Sequence, residues 1–306
     1  MAIPDESNAP QANIADTSAG MRRMPMPTQN IMLTVAYDGT NYCGWQVQPN
    51  GRTVQQCVES SITRLTGETV RILCAGRTDS GVHALGQVAS FRTESKIPAK
   101  QFRRGLQRYL PEDITIIKSV RVSDEFHATF SARRKRYRYL IWDGPVLPPG
   151  LRHHVYQTRR AIKIEPMVAS LKALRGTHDF RCFETNYPNK KTSERTIMDA
   201  TIERCPAPVF WTGVDFWPTD ARPHEAPQSP LISFEVEADG FLYNMVRAIV
   251  GTLLRIGNGQ RSVEYLGEVI MSQNRSMAGT TAPAHGLYLV EVDYPSELLT
   301  VPDKTP

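Results

Sequence analysis

Between two β-prone runs lies Ala75-Gly76-Arg77-Thr78-Asp79-Ser80-Gly81-Val82-His83-Ala84, the densest concentration of chemistry-bearing groups in this chain. Gly76 and Gly81 permit tight backbone geometry around a short loop. Arg77 and Asp79 stand two residues apart, so in an extended segment both side chains leave on the same side. An aspartate so placed has two readings, a nucleophile or an Asx-turn residue that bonds its own backbone. The Gly-x-x-x-x-Gly spacing is not followed by Lys-Ser/Thr, which rejects a nucleotide-binding P-loop. His83 and His178 are candidate acid–base groups, but both read as structural histidines.

The elements that must hold this loop follow an order that occurs twice. Residues 31–37 form an apolar β-prone run ending at the turn signal Asp38-Gly39. Thr53 opens a helix in capping-box fashion with Gln56, and Val54, Cys57, Val58, Ile62 and Leu65 share one face until Gly67. Strand patterns at 69–75 and 86–92 flank the loop. Pro98 starts a second helix carrying Phe102, Leu106 and Leu110, and a strand at 114–122 closes the half. The second half repeats the order with a strand at 135–142, a helix at 165–175 ended by Gly176, and strands at 196–204 and 231–238. An amphipathic helix at 241–256, a shorter one near 262–272 and a strand at 287–293 complete it. The predicted fold class is α+β, two tandem ferredoxin-like (split βαβ) halves with joined sheets and an active-site cleft between them. The expected boundaries are a disordered leader over 1–29, halves over 30–128 and 129–295, and a tail over 296–306. Six prolines break up 206–230, which reads as an inserted surface loop.

Composition narrows the class. With 306 residues and 41% hydrophobic content the chain can bury a substantial core, and its net charge of +5 matters for phosphate contact only where locally concentrated. Five cysteines at 43, 57, 74, 182 and 205 form no CxxC pair, and His153-His154 has no metal-ligand motif beside it, so no metal site is expected. The thiols read as reduced, in a cytoplasmic protein. The apolar stretch 245–254 is interrupted by Arg247 and is too short to span a bilayer, so no membrane partner is expected.

The loop resembles the catalytic signature of tRNA pseudouridine synthases of the TruA type, and the resemblance runs from about Met32 to Pro295. It is carried also by YDGTNYCGWQ from Tyr37, Phe126-His127-Ala128 with the basic strand RRKRYRY, and Gly176-Thr177-His178-Asp179-Phe180. FLYNMVRAIVG from Phe241 and Gly286-Leu287-Tyr288-Leu289 complete it. The leader and 206–230 fall outside it.

The resemblance implies isomerisation of uridine to pseudouridine in the anticodon stem-loop, at tRNA positions 38–40, with no cofactor and no metal. It implies tRNA as partner and a homodimer. Asp79 matches the family's catalytic aspartate, Arg247 the arginine that pairs with it, and Tyr137 the tyrosine that stacks on the target base. Arg77 is assigned to opening the target or holding its phosphate. A cation on an otherwise apolar helix face also needs a partner, and a guanidinium there is expected to keep Asp79 ionised; the alternative is an arginine snorkelling to solvent. Alternation along 133–142 puts Arg133, Lys135, Tyr137 and Tyr139 on one face and Arg134, Arg136 and Arg138 on the other. Cations on both faces predict contact with an RNA backbone, or else an edge strand defended by charge. Arg103, Arg104 and Arg108 add positive surface for the tRNA backbone, or else form a solvated helix face. The rival to an enzyme is a non-catalytic RNA-binding protein on the same platform, in which Asp79 is dispensable.

Overall fold

The computed structural model describes residues 28–158, 160–185, 192–206 and 229–299. The first half runs β1 (Gln29–Tyr37), α1 (Val54–Thr66), β2 (Leu73–Cys74), β3 (His83–Thr93), α2 (Phe102–Gln107) and β4 (Ile114–Val122). The second runs β5 (Arg134–Trp142), β6 (Tyr156–Gln157), α3 (Ile164–Ser170), β7 (Gly176–Asp179), β8 (Glu194–Cys205) and β9 (Leu231–Ala238). It ends with α4 (Met245–Gly257), α5 (Tyr265–Ser272), β10 (Leu287–Asp293) and a short α6 (Ser296–Leu299). All but two residues of the expected leader lie outside the described residues, and Gln29 already belongs to β1. Of 206–230, only 206, 229 and 230 are described.

The described strands form one ten-stranded sheet, with main order β4-β1-β3-β10-β5-β9-β8-β7. Within it, β4-β1-β3-β2 and β10-β5-β9-β8 each have the strand order of a split βαβ unit. One long strand joins them. β1 occupies one edge of β3 along its length, while the other edge is shared. β2 takes Ser90 and Ala89 of β3, and β10 takes His83 and Ala84 in parallel register. The loop 75–82 therefore leaves the sheet where β2 peels away and returns where the second half docks.

Local chemistry explains the elements. Thr53 caps α1, its Oγ1 accepting from Gln56 N, and Gly67 ends the helix at φ 80°. Val54, Val58 and Ile62 of α1 are buried, each contributing roughly 1.5–3 kcal/mol. They belong to one apolar cluster with Ile31, Leu33 and Val35 of β1, Phe234 and Val236 of β9, and Ile249 and Leu253 of α4.

Five expected elements are shorter than predicted. The helix expected over 165–175 is α-helical only over Ile164–Ser170, and the one expected near 262–272 only over Tyr265–Ser272. The run 69–75 pairs with β3 only from Leu73 to Ala75, because Ile72 N–H donates to Glu59 Oε1 and Ile72 O accepts from Gln55 Nε2. Side chains of α1 thus satisfy backbone groups that a longer strand would have paired. The helix begun at Pro98 has a 3-10 turn over Ala99–Gln101 and then only Phe102–Gln107. The helix expected over 241–256 starts at Met245, after Asn244 at φ 61°.

Candidate active site

The opening motif serves as scaffold for the loop. Trp45 N–H donates to Thr78 O at 3.0 Å, and Ser80 Oγ donates to Tyr42 O at 3.1 Å. Tyr37 Oη and Thr78 Oγ1 share a hydrogen bond of 2.7 Å. Gly44, at φ 81°, lets the two segments touch: a Cβ there would lie 2.5 Å from Thr78 O. From below, Gln87 of β3 donates to Gly76 O at 2.7 Å. Asp79 O accepts from Val82 N–H at 3.1 Å, closing a turn. That turn is made by the backbone, which leaves the Asp79 carboxylate for other partners.

The carboxylate meets Arg247, whose Nη1 stands 3.3 Å from Asp79 Oδ2. α4 is buried nearly all round, and the Arg247 side chain is only 17% exposed. The guanidinium is held at two further points: Nη1 donates to Asn244 Oδ1 at 2.8 Å and Nε to Ala282 O at 2.7 Å. Ala282 N–H in turn donates to Arg247 O. Gly251 allows that contact, since a Cβ there would lie 1.8 Å from Thr280 O. The snorkelling alternative does not describe this arginine. Burial raises the Asp79 pKa above the ordinary aspartate value, and Arg247 offsets this only in part.

Tyr137 of β5 is buried, with the Phe241 ring perpendicular to it at a centroid distance of 5.0 Å. Burial raises its phenol pKa, and the charges of Tyr37 and Asp79 add to the shift, which puts Tyr137 beside the carboxylate electrostatically. Lys135, two residues earlier on the same strand face, reaches the loop: a Cβ on Gly76 would lie 3.4 Å from its Nζ. Arg77 is exposed and makes no hydrogen bond or ion pair with another described residue.

The basic strand differs from expectation. β5 is central, between β10 and β9, and its register sets Arg136 opposite Glu237 and Arg138 opposite Glu235. Arg136 pairs with Glu237 at 2.8 Å, Arg138 donates to Glu235 at 2.7 Å, and Arg134 pairs with Glu237 at 3.0 Å and Asp293 at 3.1 Å. This face of the strand is neutralised across the sheet, so neither phosphate contact nor edge defence accounts for it. Lys100, Arg103, Arg104 and Lys118 instead line an open groove between α2 and β4 with no carboxylate among its lining residues.

His83 and His178 are held structurally. His178 Nε2 bonds Arg175 O at 2.9 Å. His83 Nε2 lies 2.9 Å from His153 O and 3.2 Å from His285 O, two acceptors that require it to carry a proton. Its Nδ1 accepts from Gly39 N–H at 3.0 Å, and burial holds the pKa below the ordinary imidazole value. Asp38 and His154 lie close enough to His83 to suggest a metal site. His83 is not free to act as a ligand, because its Nδ1 lone pair is taken by Gly39 N–H, and Asp38 Oδ1, 3.1 Å from that nitrogen, accepts from both Thr40 N–H and Thr40 Oγ1.

Asn244 and the Ala282 carbonyl were not singled out from the sequence, and Lys135 was read there only as one cation of the basic strand. Asn directly before an apolar helix was the available signal for the first.

The family model for tRNA pseudouridine synthase matches residues 33–131 and 171–295, spans that contain Arg77, Asp79 and Arg247, with Tyr137 between them. A protein named tRNA pseudouridine synthase A from Acetivibrio thermocellus is 44% identical over 266 residues, covering 87% of this chain and all of that one. One named tRNA pseudouridine synthase A 2 from Clostridium perfringens is 43% identical with the same coverage. A relative from Chloroflexus aurantiacus is 42% identical over 271 residues, covering 89% of this chain and 91% of its own. A loop braced by its own half and met by an arginine from the other thus sits in a chain that belongs to the tRNA pseudouridine synthase family.

Proposed function

We propose that this isomerase converts uridine to pseudouridine in the anticodon stem-loop of tRNA, at positions 38–40, with Asp79 as its catalytic carboxylate and no cofactor. The halves over 30–128 and 129–295 form the two walls of the cleft. The observation that carries the reading is the contact between Asp79 and a thrice-held Arg247. In the reaction the N1–C1′ bond breaks, the uracil turns while held, C5 bonds to C1′, the C5 proton leaves and N1 takes one up. Addition of the carboxylate to sugar or base, and removal of a C2′ proton, both start from ionised Asp79. Arg247 favours that form and fixes its direction. Tyr137 offers a face that tolerates in-plane rotation of a detached base. Arg77, exposed on the same loop, helps open the target or holds its phosphate. The enzyme acts as a cytoplasmic homodimer, with tRNA as its macromolecular partner.

The test is pseudouridine formation on unmodified tRNA transcripts without added cofactor or metal, comparing the native chain with Asp79→Asn. Product from the native chain and none from a variant that still binds tRNA supports the assignment. Mapping the product then tests the position. Tight binding without product from the native chain would leave a non-catalytic RNA-binding protein.

A further inference from the structure

Phe130 is 83% exposed, the most exposed aromatic ring among the described residues, and the machinery above leaves it without a task. An apolar ring standing in water is ordinary on a loose loop, where it can fold down. This loop is not loose. Every backbone N–H from His127 to Ser131 is bonded. His127 N donates to Ser131 Oγ, Ala128 N to Ser90 Oγ, Thr129 N and Phe130 N to His127 Nδ1, and Ser131 N to His127 O. Tyr294 Oη fixes Ala128 O at 2.6 Å. The Phe130 ring itself leans on the His127 imidazole, with centroids 4.4 Å apart and planes at 34°. The ring is therefore held out on a rigid mount.

The mount is fastened beside the catalytic loop. Thr129 Oγ1 donates to Cys74 O at 2.6 Å, and Cys74 is the last residue of β2 before that loop. From Cys74 to Asp79 the chain can extend at most about 18 Å. A Cβ on Gly76 would lie 3.4 Å from Lys135 Nζ, and Arg77 is exposed on the same loop, so two cations stand close after Cys74. A rigid exposed aromatic beside cations near a site for RNA suits one occupant, the π-face of an unpaired nucleobase whose phosphates the cations attract.

The geometry points to a second base-binding subsite, in which Phe130, backed by His127, stacks on an unpaired nucleotide flanking the target uridine. This rests on the reading of the chain as a tRNA-modifying enzyme. The subsite positions substrate and takes no part in bond making, so its loss weakens binding and leaves the chemical step intact.

The experiment uses the full chain and an unmodified tRNA transcript, comparing Phe130→Ala, Phe130→Leu and Phe130→Trp. Alanine and leucine are expected to raise the KM for tRNA by about 5- to 150-fold, the range spanned by base-on-aromatic stacking. The single-turnover rate at saturating tRNA and the thermal midpoint stay at native values. Tryptophan restores the native KM, because it keeps a π-face where leucine keeps only apolar bulk. A native KM for Phe130→Ala overturns the subsite while leaving the enzyme reading intact. Equal behaviour of leucine and tryptophan overturns stacking, and conversion of a dimer to a monomer by Phe130→Ala assigns the ring to a subunit contact instead. Absence of product from the native chain is the separate failure of the functional reading.

Discussion

Arg247 Nη1 lies 3.3 Å from Asp79 Oδ2 although the two residues are 168 positions apart in the chain. One comes from a loop held by β1 and β3, the other from the first turn of α4. Their separation is set by the docking of β10 against β3, and by the three acceptors that hold the guanidinium.

Replacing Arg247 with Met should abolish most turnover and move the surviving activity to higher pH. Burial already raises the Asp79 pKa above 3.8, and Arg247 acts against that shift. Without the guanidinium the carboxylate holds its proton to higher pH, so the acid limb of the rate profile moves upward. Single-turnover pseudouridine formation measured against pH checks this. An acid limb that stays in place would mean that Arg247 does not tune Asp79.

Asp79→Asn should be more heat-stable than the native chain at neutral pH. The sign follows from the raised pKa. The folded state binds the proton more tightly than the unfolded state, so native stability falls as pH rises from 3.8 through the folded value and stays reduced above it. The amide carries no such cost. Thermal midpoints of the two proteins should converge as pH falls below the folded pKa of Asp79, and a constant gap would contradict the linkage.

Asn244→Ala and Asn244→Gly separate two tasks of one residue. Both lose the 2.8 Å bond to Arg247, a charged hydrogen bond worth about 1.5–3 kcal/mol, and both should slow turnover roughly 10- to 150-fold. Only alanine must also adopt φ 61°, at a cost of about 1 kcal/mol that glycine escapes. Equal rates with a lower melting point for alanine are expected. Unequal rates would tie the backbone conformation, as well as the side chain, to catalysis.

Salt dependence should distinguish two groups of arginines. Arg136→Gln removes a cation already paired with Glu237 and should leave the slope of log affinity against log salt unchanged. Arg103→Gln and Arg104→Gln, from the groove with no lining carboxylate, should each reduce the slope by about one. Equal slopes for all three variants would refute the distinction.

Much of this was legible before the fold, and the omissions have definite causes. Strands 114–122, 231–238 and 287–293 carried their own turn boundaries and appear with those limits. The short β2 was not legible, because Glu59 and Gln55 reach it from a helix whose packing the sequence does not display. The cation pattern of β5 misled because charge becomes neutral only through register, and the register of β5 against β9 is a long-range fact. Asp79, Arg247 and Tyr137 came from resemblance to a family. No local pattern states that residues so far apart converge, and none foretells that burial outweighs the arginine in setting the pKa of Asp79.

β10 is the last strand among the described residues, yet it sits in the middle of the sheet, between β3 and β5. During synthesis both neighbours therefore emerge long before the strand that separates them, each with an unpaired edge exposed to any other chain. Until residues 287–293 arrive there is also no seam, and Asp79 has no fixed distance to Arg247. A chain cut short before β10 would contain all four candidate site residues without the seam that brings Asp79 and Arg247 together.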